Sequence, residues 1–119
     1  MKVVFIGHPI GGDVKANLEK IIKIGRKINL EESDTVPFAP YFFDCYCLED
    51  SVPQERARGI ENDVALFRKG VIDELRLYGD RISKGMISEI YLAQELNISI
   101  VPMTEETKKE YEELYKINS

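Results

Sequence analysis

Apolar residues recur along this chain in short runs that alternate with segments of helical spacing. The short runs are rich in β-branched and aromatic residues, which predicts buried strands. They lie at residues 2–7, 36–40, 71–79 and 98–101. Between them, apolar residues return every three or four positions, which predicts amphipathic helices. These helical segments lie at residues 14–28, 53–69, 86–97 and 104–115.

Residues that favour helix ends support these boundaries. Asp13 is placed to cap the first helix, Pro53 suits the first position of the second, and Gly70 suits the position after its end. Residues 29–35 are predicted as a polar connector. Residues 41–52 follow neither periodicity and are predicted as a loop.

Regular alternation of strand and helix predicts an α/β fold with a parallel sheet covered on both faces by right-handed crossovers. We expect a Rossmann/flavodoxin-like three-layer sandwich with four to five strands. The two prolines in the 36–40 run suit a strand end or an edge strand. Ligands of such sheets bind outside the carboxyl ends of the strands, where connections leave in opposite directions. The search for a site therefore narrows to the loops at residues 7–12 and 79–89.

Composition limits the classes of protein to consider. The chain has 119 residues, 44% of them hydrophobic and 31% charged, which is typical of one globular domain spanning residues 1–119. Its net charge of -5 disfavours binding to a nucleic acid polymer. No run approaches the roughly 18 apolar residues of a membrane span, and the first apolar run is too short for a signal peptide. We expect neither a membrane partner nor a secreted protein.

Metal-binding residues are scarce. The chain has one histidine and two cysteines without the spacing of a four-ligand site, so we predict no metal and no cofactor. Cys45 and Cys47 are too close in sequence for an unstrained disulfide in most backbone conformations. This favours a reducing, cytoplasmic compartment.

The first loop joins a strand to a helix and is rich in glycine. Its backbone N–H groups and the following helix N-terminus can face an anion, for which phosphate is the natural candidate. The alternative is a tight turn that needs glycine only for its backbone geometry. The loop consists of Gly7, His8, Pro9, Ile10, Gly11 and Gly12.

The second loop also leads from a strand into a helix. Ser83 can bind an anion through its hydroxyl, assisted by the N–H groups near Gly85 and by the charge of Arg81 or Lys84. Glu89 lies about one turn into the helix, where the macrodipole favours its ionised form, as a carboxylate nucleophile requires. The alternative is a glutamate placed there only to complement the dipole.

Together these two motifs resemble a known family. Phe-Ile-Gly-x-Pro-Ile-Gly-Gly at residues 5–12, with Ser83-x-Gly85-x-x-x-Glu89 after a later strand, is similar to the nucleoside 2-deoxyribosyltransferase-like family. That family includes deoxyribosyltransferases and 2'-deoxynucleoside 5'-monophosphate N-glycosidases. The resemblance covers residues 3–12 and 73–100 best.

This resemblance implies cleavage or transfer of an N-glycosidic bond, with Glu89 attacking the anomeric carbon of the sugar. A carboxylate at that carbon stabilises the oxocarbenium-like transition state or traps it covalently. Asp63 resembles a second family carboxylate that handles the base or the 3'-OH, although a solvated helix face explains it equally well. Arg58 on the same predicted helix either reaches a phosphate or pairs with Glu55 or Glu61.

Ser83 discriminates between the branches of the family. A serine six residues before the catalytic glutamate contacts phosphate in the monophosphate glycosidases, so the resemblance favours a 5'-monophosphate hydrolase. The chain departs from that branch at His8 and Ile10, where the glycosidases carry serine and arginine. His8 can contact phosphate, protonate the leaving base or cap the turn.

The departures at residues 8 and 10 support a second hypothesis. In it, the protein is a non-catalytic module of the same fold that binds or sequesters a nucleotide. The resemblance also implies a homodimer or higher homo-oligomer. Candidate contact surfaces are the aromatic segment and the face of the last helix, both of which can also pack internally. Those residues are Tyr41, Phe42, Phe43, Tyr46, Tyr111, Leu114 and Tyr115.

Overall fold

Four parallel strands form one sheet, and five helices connect or follow them. The computed structural model describes residues 1–118, with side chains as far as Lys116. The elements are β1 (Lys2–Gly7), α1 (Val14–Glu31), β2 (Thr35–Phe38), α2 (Pro40–Cys47), α3 (Pro53–Arg68), β3 (Glu74–Leu77), α4 (Lys84–Glu95), β4 (Ser99–Pro102) and α5 (Glu105–Asn118). The strand order is β2-β1-β3-β4, all parallel. This confirms the predicted α/β, Rossmann/flavodoxin-like sandwich, with four strands, and places the proline-containing β2 at an edge.

The strand order creates a switch point between β1 and β3. The chain leaves β1 towards β2 on one side and leaves β3 towards β4 on the other. Right-handed crossovers then place α1 on one face of the sheet and α3 and α4 on the opposite face. The predicted loops after β1 and β3 are therefore neighbours at the carboxyl edge.

Alternating side chains along the strands build two apolar layers. Phe5, Leu75 and Leu77 point to one face, where they form a buried cluster with residues of α3 and α4. Val4 and Ile6 point to the other face, which α1 covers. The buried apolar residues of α1 are Leu18, Ile21 and Ile28. In α5, Tyr111 and Leu114 pack against the first cluster, whereas Tyr115 is exposed.

Capping predictions from the sequence are confirmed at three helix ends. Asp13 accepts a hydrogen bond from the backbone N–H of Ala16 at 3.1 Å. Pro53 is the first residue of α3, and Gly70 follows the end of that helix with a φ of 78°. Glycine adopts such a backbone conformation without the steric cost of a Cβ atom, so Gly70 is suited to end the helix.

Two local predictions were wrong. Residues 41–52 were expected to be a loop, but residues 40–47 form α2, which begins with Pro40. Eight residues make barely two turns, and none of them is fully buried, so no helical period is visible in the sequence. The polar connector expected at residues 29–35 is also shorter, because α1 continues to Glu31 and β2 already begins at Thr35.

One charged side chain is buried in the sheet. Arg76 of β3 is 6% exposed and donates two hydrogen bonds of 2.8 Å to the carboxylate of Glu32, which follows α1. Its Nε donates to Glu74 at 2.6 Å. The bidentate pairing compensates the guanidinium for its lost hydration and ties the end of α1 to the central strands.

No helix among residues 1–118 is both long and apolar enough to cross a membrane.

Candidate functional site

A cleft between α3 and α4 brings the two predicted carboxylates together. Each helix contributes residues at positions i, i+3, i+4 and i+7, which share one helix face. The enclosed volume is about 130 Å³. The residues of this α3–α4 cleft are Ile60, Asp63, Val64 and Phe67 from α3, and Gly85, Ser88, Glu89 and Leu92 from α4. Asp63 and Glu89 are thus polar groups in a largely apolar cleft.

Asp63 is held in an unfavourable setting for a charge. Its Oδ1 atom is buried and has no hydrogen-bond partner among the described residues. Burial, followed by repulsion from the nearby Asp44, raises the pKa of Asp63 to about 7. The solvated helix face that sequence reasoning kept as an alternative is therefore wrong for this residue. Near neutral pH its carboxyl group can hold a proton and donate it.

Glu89 differs from the sequence expectation in its charge. The helix macrodipole was expected to favour the ionised form, but burial and then the charge of Asp63 raise the pKa of Glu89 well above its ordinary value. Part of the residue remains accessible from the cleft. Protein nevertheless surrounds the carboxyl group, and a surface dipole term of about 0.3–1 kcal/mol is too small to offset that loss of hydration.

Tyr41, which sequence reasoning assigned only to a group of aromatic candidates, lies near the carboxylate pair but outside the lining of the cleft. Its hydroxyl donates a hydrogen bond of 2.6 Å to the carbonyl oxygen of Ile6, and its ring lies 5.7 Å from that of Phe5. Burial, then the charges of Glu89 and Asp63, raise the pKa of Tyr41 well above its ordinary value. The hydroxyl therefore stays protonated beside the carboxylate pair. The aromatic composition of the segment was the only sequence signal, and because α2 was not predicted, nothing distinguished Tyr41 from its aromatic neighbours.

The other aromatic residues of α2 do not share that setting. Phe43 and Tyr46 are each 72% exposed, and Tyr46 stacks at a tilt on Phe42 with 5.6 Å between ring centroids. Near the end of the helix, Cys45 and Cys47 are exposed free thiols.

The two loops at the carboxyl edge pack tightly on each other. Gly79 has a φ of 93°, and a Cβ atom there would lie 2.6 Å from Cδ of Pro9. Arg81 donates from Nη2 to the carbonyl oxygen of Gly11 at 3.2 Å. Glycine is thus needed at position 79 for both backbone conformation and close approach.

Asn17 fixes the shape of the first loop from within α1. Its side-chain amide donates to the carbonyl oxygens of Ile10 at 2.9 Å and Gly11 at 3.3 Å. Gly12, with a φ of 96°, completes the turn into the helix. Asn17 was missed from the sequence, where the only signal is a polar residue beside the apolar positions of the helix.

His8 lies buried in the same loop, 6% exposed. Its Nδ1 lies 2.6 Å from the carbonyl oxygen of Pro9, which can only accept, so Nδ1 carries the proton of the neutral ring. Burial lowers the pKa of His8. Near neutral pH its Nε2 is therefore an acceptor and does not supply a hydrogen bond to phosphate.

Ser83 is the N-cap of α4. Its Oγ accepts from the backbone N–H of Met86 at 3.3 Å, while its own N–H points to the sulfur of that methionine at 3.4 Å. Capping uses the hydroxyl oxygen as an acceptor, so the hydroxyl proton can still be donated in another hydrogen bond. Gly85, two residues later, lines the α3–α4 cleft.

Arg58 lies outside the lining of the cleft. It is exposed on α3 and donates from Nε to Asn62 at 3.2 Å. Glu55, one of its expected partners, instead accepts the backbone N–H of Glu49 at 3.1 Å. The expected pairing of Arg58 with Glu55 or Glu61 is therefore replaced by a hydrogen bond to an amide one turn away.

A family model matches residues 2–103. The chain belongs to the family described as Domain of unknown function (DUF7768). The match to DUF7768 runs from β1 through β4 and includes both walls of the α3–α4 cleft, whereas α5 begins after it. Among curated proteins and solved structures, none matches the chain. The DUF7768 description assigns no activity, so the resemblance to deoxyribosyltransferases stays a prediction.

Proposed function

We propose that this protein cleaves or transfers the N-glycosidic bond of 2'-deoxynucleotides or 2'-deoxynucleosides, with Glu89 as nucleophile and Asp63 as proton donor. One observation carries the proposal: both carboxyl groups line a single cleft of about 130 Å³. Burial raises the pKa values of both and keeps at least one proton on the pair near neutral pH. The reaction starts from the form of the pair in which a single proton lies on Asp63 and Glu89 is the carboxylate.

The chemistry of the bond matches this arrangement. An oxygen of ionised Glu89 forms a bond to C1' of the sugar while the C1'–N bond breaks and its electron pair moves to the base. Asp63 gives its proton to the departing nitrogen. Water, or a second base, then attacks C1', regenerates the Glu89 carboxylate and returns a proton to Asp63. Water as acceptor gives hydrolysis, and a base as acceptor gives transfer.

The loops beside α4 favour a substrate that carries a 5'-phosphate. Ser83 keeps a hydroxyl proton to donate, and Lys84 is an exposed cation next to it, whereas the exposed Arg81 pairs with Asp80 at 3.0 Å. A phosphate at this edge would leave the uncharged sugar to enter the cleft. The cytoplasmic compartment and the homo-oligomer predicted from the sequence belong to the same proposal.

Chromatography of incubations with the four 2'-deoxynucleoside 5'-monophosphates, and separately with the four 2'-deoxynucleosides, tests the reaction. We expect release of free base, and its loss by at least a hundredfold in Glu89→Gln. Glu95→Gln is the matched control, because Glu95 lies on the same helix but pairs with Arg68 at 3.0 Å on the exposed surface.

The outcomes separate the alternatives. Release from the monophosphates alone would support the phosphate role of Ser83, whereas release from nucleosides alone would contradict it. Release that survives in Glu89→Gln would show that the mechanism is wrong. Tight nucleotide binding without any release would favour the non-catalytic binding module instead.

A further inference from the structure

Ser88 lies in the α3–α4 cleft beside the carboxylate pair but has no part in the reaction as proposed. It precedes Glu89 on α4 and belongs to the same stripe of residues that faces α3. The remaining walls of the cleft are apolar or lack a side chain. Those residues are Ile60, Val64, Phe67, Gly85 and Leu92. Ser88 is therefore the one uncharged side chain that can exchange hydrogen bonds with a ligand there.

The hydroxyl of Ser88 is weakly held. Its hydrogen bond within the structure goes to the carbonyl oxygen of Lys84 at 3.4 Å, longer than the 2.5–3.0 Å usual for O–H···O bonds. In an α-helix that carbonyl already accepts the backbone N–H four residues on. The Ser88 hydroxyl can thus turn towards a ligand at little cost, both as donor and as acceptor.

A serine at this position does not improve the helix. Serine has a lower helix propensity than alanine, and a hydroxyl bonded back to the preceding turn slightly destabilises a helix. The position is also exposed, so the side chain fills no gap in the core. Neither helix stability nor core packing explains the hydroxyl group, whereas contact with a ligand does.

We propose that Ser88 is a specificity-determining residue that binds a hydroxyl group of the sugar in the α3–α4 cleft. The inference rests on the proposed function for the identity of the ligand. In a 2'-deoxynucleoside 5'-monophosphate the only free sugar hydroxyl is the 3'-OH, so this is the group that Ser88 recognises. Glu89 is then left free to face C1'.

The test compares 2'-deoxynucleoside 5'-monophosphates with their 2',3'-dideoxy counterparts, which lack that hydroxyl. A neutral hydrogen bond contributes about three- to tenfold, so the wild-type protein should favour the deoxy substrates by at least that factor in kcat/KM. Ser88→Ala should lower this preference by about three- to tenfold, and Ser88→Thr should restore it. Ser33→Ala, in the exposed turn before β2, is the control and should leave the preference unchanged.

A preference for the deoxy substrate that is the same in Ser88→Ala as in the wild type would overturn the inference. This includes the case in which kcat/KM falls equally on both substrates. If the wild-type protein releases no base at all, the proposed reaction fails, and the same comparison is made by calorimetric titration of both nucleotides. A ratio of dissociation constants that falls in Ser88→Ala would then support Ser88 independently of catalysis. Equal ratios, or no binding of either nucleotide, would refute its role.

Discussion

Replacing Asp63 with asparagine should stabilise the protein at high pH. The substitution keeps the shape of the side chain but removes its charge. Folding raises the pKa of Asp63 from 3.8 to about 7, so the folded protein binds this proton more tightly than the unfolded chain does. The stabilisation that follows is complete below the unfolded pKa and is lost as the pH rises through the folded value. Above pH 7 the wild-type protein folds with a charged carboxylate whose Oδ1 is buried and has no hydrogen-bond partner among the described residues.

The size of the effect follows from that difference. About 3 pH units at roughly 1.36 kcal/mol each set an upper limit of about 4 kcal/mol. Asp63 keeps some access to solvent through the cleft, which screens the charge, so we expect about 2 kcal/mol. At pH 4 both the protonated acid and the amide are neutral, and the two proteins should be almost equally stable.

Urea unfolding of the wild type and Asp63→Asn at pH 4 and pH 8 measures this difference. Glu61→Gln, an exposed position on the same helix, controls for the removal of one negative charge and should change stability equally at both pH values. If the advantage of Asp63→Asn does not grow with pH, the carboxyl group is solvated or partnered in solution. The proton-donor role proposed for it would then lose its physical basis.

Two further predictions concern the frame that holds the site. Arg76→Met should cost about 2 kcal/mol of unfolding free energy, measured by denaturant titration, because Glu32 loses its partner and Glu74 keeps only Lys2 at 3.4 Å. A loss below about 1 kcal/mol would mean that the network contributes little. Gly79→Ala should cost about 2 kcal/mol or more of unfolding free energy and lower the melting temperature, since the added Cβ would lie 2.6 Å from Pro9 in a backbone with φ of 93°. An unchanged melting temperature would mean that the two loops separate easily.

The periodicity of the sequence was sufficient for most of the fold. The helical spacing of apolar residues at 86–97 predicted α4, and Met86, Ile90 and Ala93 on its apolar face are all buried. Helix α2 was not predictable in the same way, because it is short and the contact that ties it to the sheet is a tertiary one. Tyr41 anchors it through a hydrogen bond to β1, some 35 residues earlier in the chain. Local sequence carries no trace of that partner.

The sequence pointed to the two carboxylates of the candidate site but not to their electrostatics. Glu89 was singled out by the motif after β3 and Asp63 by the resemblance to the deoxyribosyltransferase-like family, and the structure brings both into one cleft. Their raised pKa values depend on which helix packs against which, and that is a property of the packed sheet. The role of Asn17 was not predicted for a similar reason. Its hydrogen-bond partners in the first loop are defined only once the loop has folded back on α1.

The competition between the helix dipole and burial at Glu89 bears on what the cleft can bind. An anion site needs donors and positive potential, but the α3–α4 cleft contains two carboxyl groups, and Oδ1 of Asp63 has no hydrogen-bond partner among the described residues. A phosphate inside it would meet repulsion as soon as either carboxyl ionised. An uncharged sugar ring that develops positive charge in the reaction would instead be attracted. Ionisation of Glu89 becomes more favourable as that positive charge grows. Because its pKa is raised, Glu89 is a poor anion in the free protein. In a cationic transition state the same carboxylate is stabilised by the positive charge beside it. An interaction that is stronger in the transition state than in the free protein is one that accelerates a reaction.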